Sequence, residues 1–379
     1  MSTEIRRIEQ FFRERCGRDA LFVPSGRFAL YLVLREWFRH GDRVLISPVN
    51  CDVVFFTALA AGVVPVVGPV DPSTGNLDPD AVDDATWLSV RGVVTTNLYG
   101  IPDRMDRLVE QRRRHGLVLI EDACHAIDSH FEGRRIGTFG DAAVYSLAKH
   151  VEGVGGVVTV QDASRREALA RRGAAELRNI SPVRRAMERV RDRVAPRQIE
   201  RVGHRLKYEP REVTCAQQEG AGLDRFDKWL SADHGRYRTL PSRSSLRETV
   251  ERLEALDEHC RLRAAGARRL RDLGYLDGVR VPDDTALFRV PLFVAERDVF
   301  IRSCASRGLA IDYVYDPPLD LYAQPLWITA LPSPPAARMW SRDVVPVNPL
   351  HADQFLELLK DSPAVCPARH GLAAVATCQ

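Results

Sequence analysis

The sequence predicts an α/β protein: a large domain with a mostly parallel sheet between helices, followed by a smaller C-terminal α/β domain. Three observations predict it. Between about residues 20 and 160, short apolar runs alternate with helical patterns, the signature of parallel strands joined by covering helices. An arginine-rich, helical stretch over 161–235 interrupts that alternation, and past Arg243 a second, shorter set of strand-like and helical segments begins. The large domain is placed at 1–240, including the 161–235 excursion, and the small one at 241–379. A chain of 379 residues is long enough for two cores.

Taken in order, ALFV (20–23) reads as a strand, 27–38 as a helix, RVLIS (43–47) as a strand, 53–61 as a helix and VVPVV (63–67) as a strand. GVVTTN (92–97), LVLIED (117–122), AAVYSL (142–147) and GVVTV (156–160) complete the strands, with a helix at 105–115 between two of them. The apolar stretch 53–70 is long enough to raise the question of a membrane span. Gly62, Pro65, Gly68 and Pro69 interrupt it, so a helix followed by a buried strand explains it better. After Arg243 the pattern predicts one long helix over 245–274, then a strand at 287–294, a helix at 297–308, a strand at 309–314 and a terminal helix at 352–360.

With 45% apolar and 28% charged residues, the composition is that of an ordinary globular protein. A net charge of +3 gives no reason to invoke nucleic acid or a membrane as partner. Eight cysteines lie far apart, with no C-x-x-C pair and no clustered histidines. That spacing argues against a disulfide framework and against a metal site, and favours reduced thiols in a cytoplasm. The first 17 residues are charged and amphipathic, without the apolar core of a signal peptide.

Ligands of such sheets bind beyond the carboxyl ends of the strands, and four segments there carry candidate chemistry. Pro24-Ser25-Gly26-Arg27-Phe28 opens a helix. Its small turn exposes backbone N–H groups and the positive end of the helix dipole, which suits a phosphate; alone, it is as readily a plain N-cap. In Glu121-Asp122-Ala123-Cys124-His125, Asp122 ends an apolar strand, where a carboxylate costs free energy unless it is solvated or paired. Facing a pyridine nitrogen it would keep that nitrogen protonated, with His125 in reach of the ring or the substrate; taken alone, it reads equally as a helix cap or a magnesium ligand. The run from Gly137 through Ser146 to Lys149 and His150 sets Lys149 just past a strand, in a chain with only four lysines. A lysine amine condenses with an aldehyde and can then carry protons, and Ser146 adds a hydroxyl for a phosphate. The plainer reading of Lys149 is a surface charge. The fourth segment, Asn97-Leu98-Tyr99-Gly100, is by itself a strand-to-helix turn.

As an ordered set with Gly41-Asp42-Arg43-Val44, these segments resemble the DegT/StrS branch of sugar aminotransferases, fold-type I enzymes that use pyridoxal 5′-phosphate (PLP). The resemblance covers about 20–160 and resumes more faintly at 253–269 and 306–322. It implies that Lys149 holds PLP through its amine and that Asp122 faces the ring nitrogen. Ser25, Gly26, Arg27 and Ser146 would border the phosphate, and His125 and Asn97 the ring. Cys51 would press on the ring where the family has an aromatic residue, and Arg238 stands near the place of an asparagine that reaches the neighbouring subunit's phosphate. The resemblance further implies a homodimer with the site at its interface, glutamate or glutamine as amino donor, and as acceptor a keto sugar, cyclitol or related natural-product intermediate.

The chain departs from the family at Arg27, Cys51, Asn97, Val154 and Asp320. Arg27, Cys51, Asn97 and Asp320 keep open a PLP enzyme that catalyses dehydration, elimination or condensation, while the arginine-rich 161–205 stretch and the weak phosphate cup keep open a catalytically degenerate regulatory or partner protein. His150 bears on the first, because some relatives that dehydrate sugars carry a histidine at the lysine position; Lys149 fits that position better.

Overall fold

A computed structural model describes residues 2–178, 208–230, 236–283, 285–294, 296–326, 329–330 and 335–360. Ser2 caps helix α1 (Thr3–Cys16), its hydroxyl accepting from the Ile5 N–H at 3.2 Å, and Gly17 ends it at φ 62°. Ile8 and Phe12 of α1 are fully buried beside β1 (Asp19–Val23). Then come α2 (Gly26–Trp37), β2 (Arg43–Ile46), α3 (Asp52–Ala60) and β3 (Val64–Val67). The apolar stretch 53–70 is therefore a helix, a left-handed Gly62 and a strand, and among the described residues no helix is long and apolar enough to cross a membrane. The series continues with α4 (Asp84–Ser89), β4 (Gly92–Val94), α5 (Met105–His115) and β5 (Val118–Asp122). A small ribbon of β6 (His130–Phe131) and β7 (Arg134–Arg135) precedes β8 (Ala142–Ser146) and β9 (Gly156–Val160).

Within the arginine-rich stretch, α6 (Ala163–Glu176), α7 (Pro210–Gln218) and α8 (Leu223–Leu230) are helical, while 179–207 lies outside the described residues. Its basic side chains meet acids of the same chain: Arg165 and Arg172 pair with Glu36, Arg166 with Glu9, and Arg178 with Asp227.

Past Arg243, the structure corrects two expectations. The single long helix is two, α9 (Arg243–Glu254) and α10 (Leu256–Asp272), broken at Ala255. The break sends Leu253 and Leu256 into a core against the large sheet while Ala267 and Leu270 join a separate C-terminal core. Residues 309–314 form no strand, because Tyr313 adopts φ 60° and cannot continue a ladder. The partner of β10 (Val290–Phe293) lies further on. After α11 (Arg297–Ser306), α12 (Leu319–Tyr322), β11 (Thr329–Ala330) and α13 (Pro335–Arg342), it is β12 (Val344–Val347), antiparallel to β10 and followed by α14 (Ala352–Lys360). Pro291 and Pro346 stand opposite each other in this ribbon, at a pair where neither strand needs a donor.

The main sheet has eight strands in the order β1-β9-β8-β5-β4-β2-β3-β11. β9 runs antiparallel to both its neighbours, and every other pairing is parallel. One apolar core, rich in α2 and α3 side chains, covers one face, and a second, with α1, α5 and α9, covers the other. At the edge, β1 is blocked: the Phe22 N–H donates to Glu9 at 3.0 Å, the Ala20 carbonyl accepts from Arg166 at 2.8 Å, and Glu9 and Arg166 pair at 3.0 Å.

Candidate active site

A cavity of about 880 Å³ opens where β5 and β8 end and α2 begins. Of the ten residues that sequence reasoning singled out, Ser25, Gly26, Arg27, Cys51, Asp122, His125, Ser146 and Lys149 line it, and Asn97 and Arg238 do not. Asp122 and Lys149, which come from separate strand ends, thus share one cavity.

Asp122 closes a strand that is buried from Leu119 onward. Its carboxylate accepts the Cys124 N–H at 3.0 Å, and burial pushes its pKa up, against the pull of Cys124 and the Lys149 charge. Its backbone is pinned on both sides: its N–H donates to Thr95 Oγ1 at 3.1 Å, and its carbonyl accepts from Asn97 Nδ2 at 2.9 Å. Glu121, one residue earlier, points to the opposite face and accepts the N–H groups of Gly137, Phe139 and Gly140 at 2.6–2.7 Å. That carboxylate ties the turn feeding β8 to β5, and so fixes Ser146 and Lys149 relative to Asp122.

Lys149 sits in the tight connection between β8 and β9, closed by bonds from Leu147 N to Gly155 O (3.0 Å) and from Gly153 N to Leu147 O (2.8 Å). His125 is buried on the cavity wall, and that burial, with the Lys149 charge adding to it, holds its pKa well below the ordinary histidine value. Its Nδ1 accepts the Tyr99 N–H at 3.3 Å, so the neutral ring carries its proton on Nε2. Burial also pushes the Cys51 thiol up to about 11, which keeps it protonated.

At the other end, Ser25 Oγ caps α2 by accepting the Phe28 N–H at 3.2 Å and donates to the Tyr237 carbonyl at 2.9 Å. Gly26 is packed so closely that a Cβ would lie 2.8 Å from Ser146 Cβ; only glycine leaves that crevice open. Arg27 donates to the Leu230 carbonyl.

The remaining candidates lie behind the walls. Asn97, left-handed at φ 45° and fully buried, spends its side chain on Thr95, on the Asp122 carbonyl and on the Asp103 N–H. Arg238 turns away from the cavity to pair with Glu176 and Asp224. His150 is 1% exposed, its Nε2 lies 2.9 Å from the His125 carbonyl, and burial drives its pKa down to about 3; the lysine, not this histidine, faces the cavity. Sequence reasoning passed over Thr239, Leu240, Ser242 and Ser245, which form the opposite rim, and Tyr315. Ser242 and Ser245 carried a legible signal, the Ser-rich start of a helix; Thr239 and Leu240 carried none.

These residues fit PLP. A buried carboxylate with a raised pKa suits a ring N–H⁺, an amine lies on the same cavity, and a helix N-terminus with a crevice that a Cβ would fill suits a phosphate. Among the described residues no cluster of His, Cys, Asp and Glu could hold a metal ion.

Residues 1–240 match the model of the DegT/DnrJ/EryC1/StrS aminotransferase family. The chain is 36% identical over 151 residues to L-glutamine:2-deoxy-scyllo-inosose aminotransferase of Streptomyces kanamyceticus, covering 38% of this chain and 35% of that protein. It is 35% identical over 151 residues to dTDP-3-amino-3,4,6-trideoxy-alpha-D-glucose transaminase of Streptomyces venezuelae, covering 39% of each. The chain thus spans under two fifths of the length of these curated relatives. The solved structure of the E. coli GDP-4-keto-6-deoxy-D-mannose-3-dehydratase with bound hydrated PLP has the same fold, with a TM-score of 0.67 over 95% of this chain and 92% of that one at 17% identity.

Proposed function

The chain belongs to the DegT/DnrJ/EryC1/StrS aminotransferase family, and we propose that it is a PLP-dependent aminotransferase. It moves an amino group from glutamate or glutamine to the keto group of a sugar, cyclitol or related natural-product intermediate. The observation that carries this reading is the meeting of Asp122 and Lys149 on one cavity. The glutamine-dependent cyclitol enzyme and the dTDP-sugar transaminase among its relatives support the donor and acceptor classes.

When bound, PLP supplies an electron sink for charge that develops at a substrate carbon. Asp122 holds a proton on the ring nitrogen, and that cationic partner offsets the cost of burying its carboxylate. Lys149 Nζ would hold the cofactor and would serve as the base that takes a proton from the substrate carbon. Neutral His125 donates from Nε2 without adding charge to the site. Ser25, Gly26 and Ser146 would hold the phosphate at the start of α2, with Arg27 beside them, and Cys51 would border the ring. A second copy of the chain completes the site in a homodimer.

The test is direct. Protein mixed with PLP gains a near-ultraviolet or visible band, borohydride fixes the cofactor on the Lys149 peptide, and added glutamate yields 2-oxoglutarate; Lys149→Ala loses all three. A colourless protein indifferent to PLP defeats the reading. A second reading, PLP-dependent dehydration, elimination or condensation, is favoured by Cys51 on the cavity wall and by Asn97 being turned into the scaffold. A band with no keto acid formed from either glutamate or glutamine favours it over the first.

A further inference from the structure

Lys149 does not hang loose in the cavity. Its Nζ lies 3.6 Å from the centroid of the Tyr313 ring and 5.8 Å from that of Phe288. These two rings meet at 5.0 Å and 68°, forming a corner. His125 lines the corner, stacked on Phe288 at 4.8 Å and edge-on to Tyr313 at 5.7 Å. An ammonium over an aromatic face is attracted by the ring quadrupole, the more so where water is excluded. Because His125 is neutral, the third side of the corner does not repel it.

Tyr313 reaches the amine in a conformation that costs free energy. Its φ of 60° is a region that bulky residues rarely occupy, and such outliers persist only where the surroundings impose them. Here they do. Tyr99 donates its hydroxyl to the Tyr313 carbonyl at 2.8 Å. Arg289, held by Asp312 through two bonds of 2.8 and 2.9 Å, lies 5.1 Å from the Tyr313 centroid and 4.1 Å from that of Phe288. The strain is thus concentrated where a ring meets the lysine of the cavity.

We propose that Tyr313, backed by Phe288, is the seat of the Lys149 ammonium, a positioning residue that keeps the amine in place whenever it is not bonded to cofactor. The purpose of the seat rests on reading Lys149 as the cofactor-bearing amine. The seat itself belongs to the chain alone and can be tested without cofactor.

The experiment uses cofactor-free, full-length protein and follows acetylation of each lysine with a small active ester by peptide mass spectrometry, Lys228 and Lys360 serving as internal references. Tyr313→Asn removes the ring while tolerating a left-handed backbone, and the relative rate at Lys149 rises about fivefold. Tyr313→Gly, which also relieves the strain, gives the same rise and serves if the Asn variant does not fold. Tyr313→Phe keeps the aromatic face and retains the wild-type rate. Equal rates in all variants overturn the seat, as does a Phe variant that follows the Asn variant. Borohydride fixation of PLP on wild-type Lys149 is scored separately: its absence beside an intact fivefold effect defeats the cofactor reading and leaves the seat standing.

Discussion

The cavity has two walls, and they are made differently. One consists of strand ends and a helix start: Ser25 and Gly26, Asp122, Ser146 and Lys149. Ladder register sets their positions, with Asp122 opposite Val144 in the parallel β5–β8 pair and Ser146 opposite Gly156 in the antiparallel β8–β9 pair. The other wall is lined by Thr239, Leu240, Pro241, Ser242, Ser245 and Tyr315, beside contacts between residues far apart in the chain, such as Ser25 to the Tyr237 carbonyl and Tyr99 to the Tyr313 carbonyl. No ladder runs through it. The first wall cannot change without disturbing the sheet, whereas the rim at 239–245 can be rebuilt while Asp122, Ser146 and Lys149 keep their places at the strand ends.

Four substitutions test that contrast, from the largest effect to the smallest. Lys149→Ala, on the ladder wall, lowers turnover by on the order of 10⁴ in a steady-state assay and leaves the melting temperature near that of wild type. Next is the support of that wall: Asp103 accepts the N–H groups of Thr96 and Asn97 at 3.0 and 2.7 Å, and burial raises its pKa to about 7. An acid whose folded pKa is raised binds its proton more tightly in the native state. Wild-type stability therefore falls as pH climbs from near 4, the unfolded value, to about 7, and is level above that. Asp103→Asn removes this slope, worth at most about 4 kcal/mol, and becomes the more stable protein above pH 7. Melting curves of the two across pH 4.5–8 check it, and parallel curves would refute it.

Gly26→Ala follows. Its Cβ meets Ser146 Cβ at 2.8 Å and Cys124 Sγ at 3.3 Å, so denaturant unfolding shows a loss of about 1–3 kcal/mol, together with weaker PLP binding by titration. The smallest effect belongs to the opposite wall. Ser242 caps α9 by accepting the Ser245 N–H at 3.2 Å, and Ser242→Ala costs about 1 kcal/mol. It raises KM for the acceptor with no change in PLP affinity; a change in PLP affinity instead would erase the distinction between the walls.

The same contrast decides what could be read in advance. Local chemistry marks the ladder wall: an acid ending an apolar strand, a lysine just past another, and a small turn opening a helix are visible within a few residues. That is why β1 to β5, β8, β9 and eight of the ten candidate residues were legible on the cavity. Asn97 was legible as a strand-end polar residue, but its direction was not, since a left-handed backbone turned its amide toward Asp122's carbonyl. Arg238 went to Glu176 and Asp224, a choice fixed by helices that no short motif places. β12 is only four residues long and pairs with a strand far back in the sequence, so no local pattern marked it. Tyr313 read as one more alternating residue, because backbone strain leaves no trace in composition.

The guarded edge of the large sheet bears on how the chain is made. β1 leaves the ribosome early, yet β9, to which it pairs, and Arg166, which covers its Ala20 carbonyl, follow about 140 residues later. At roughly 5–20 residues per second that delay is on the order of ten seconds, during which β1 can pack on α1 and α2 while its ladder edge toward β9 stays unpaired. The strand whose edge the finished fold guards is thus one that synthesis leaves open for that time.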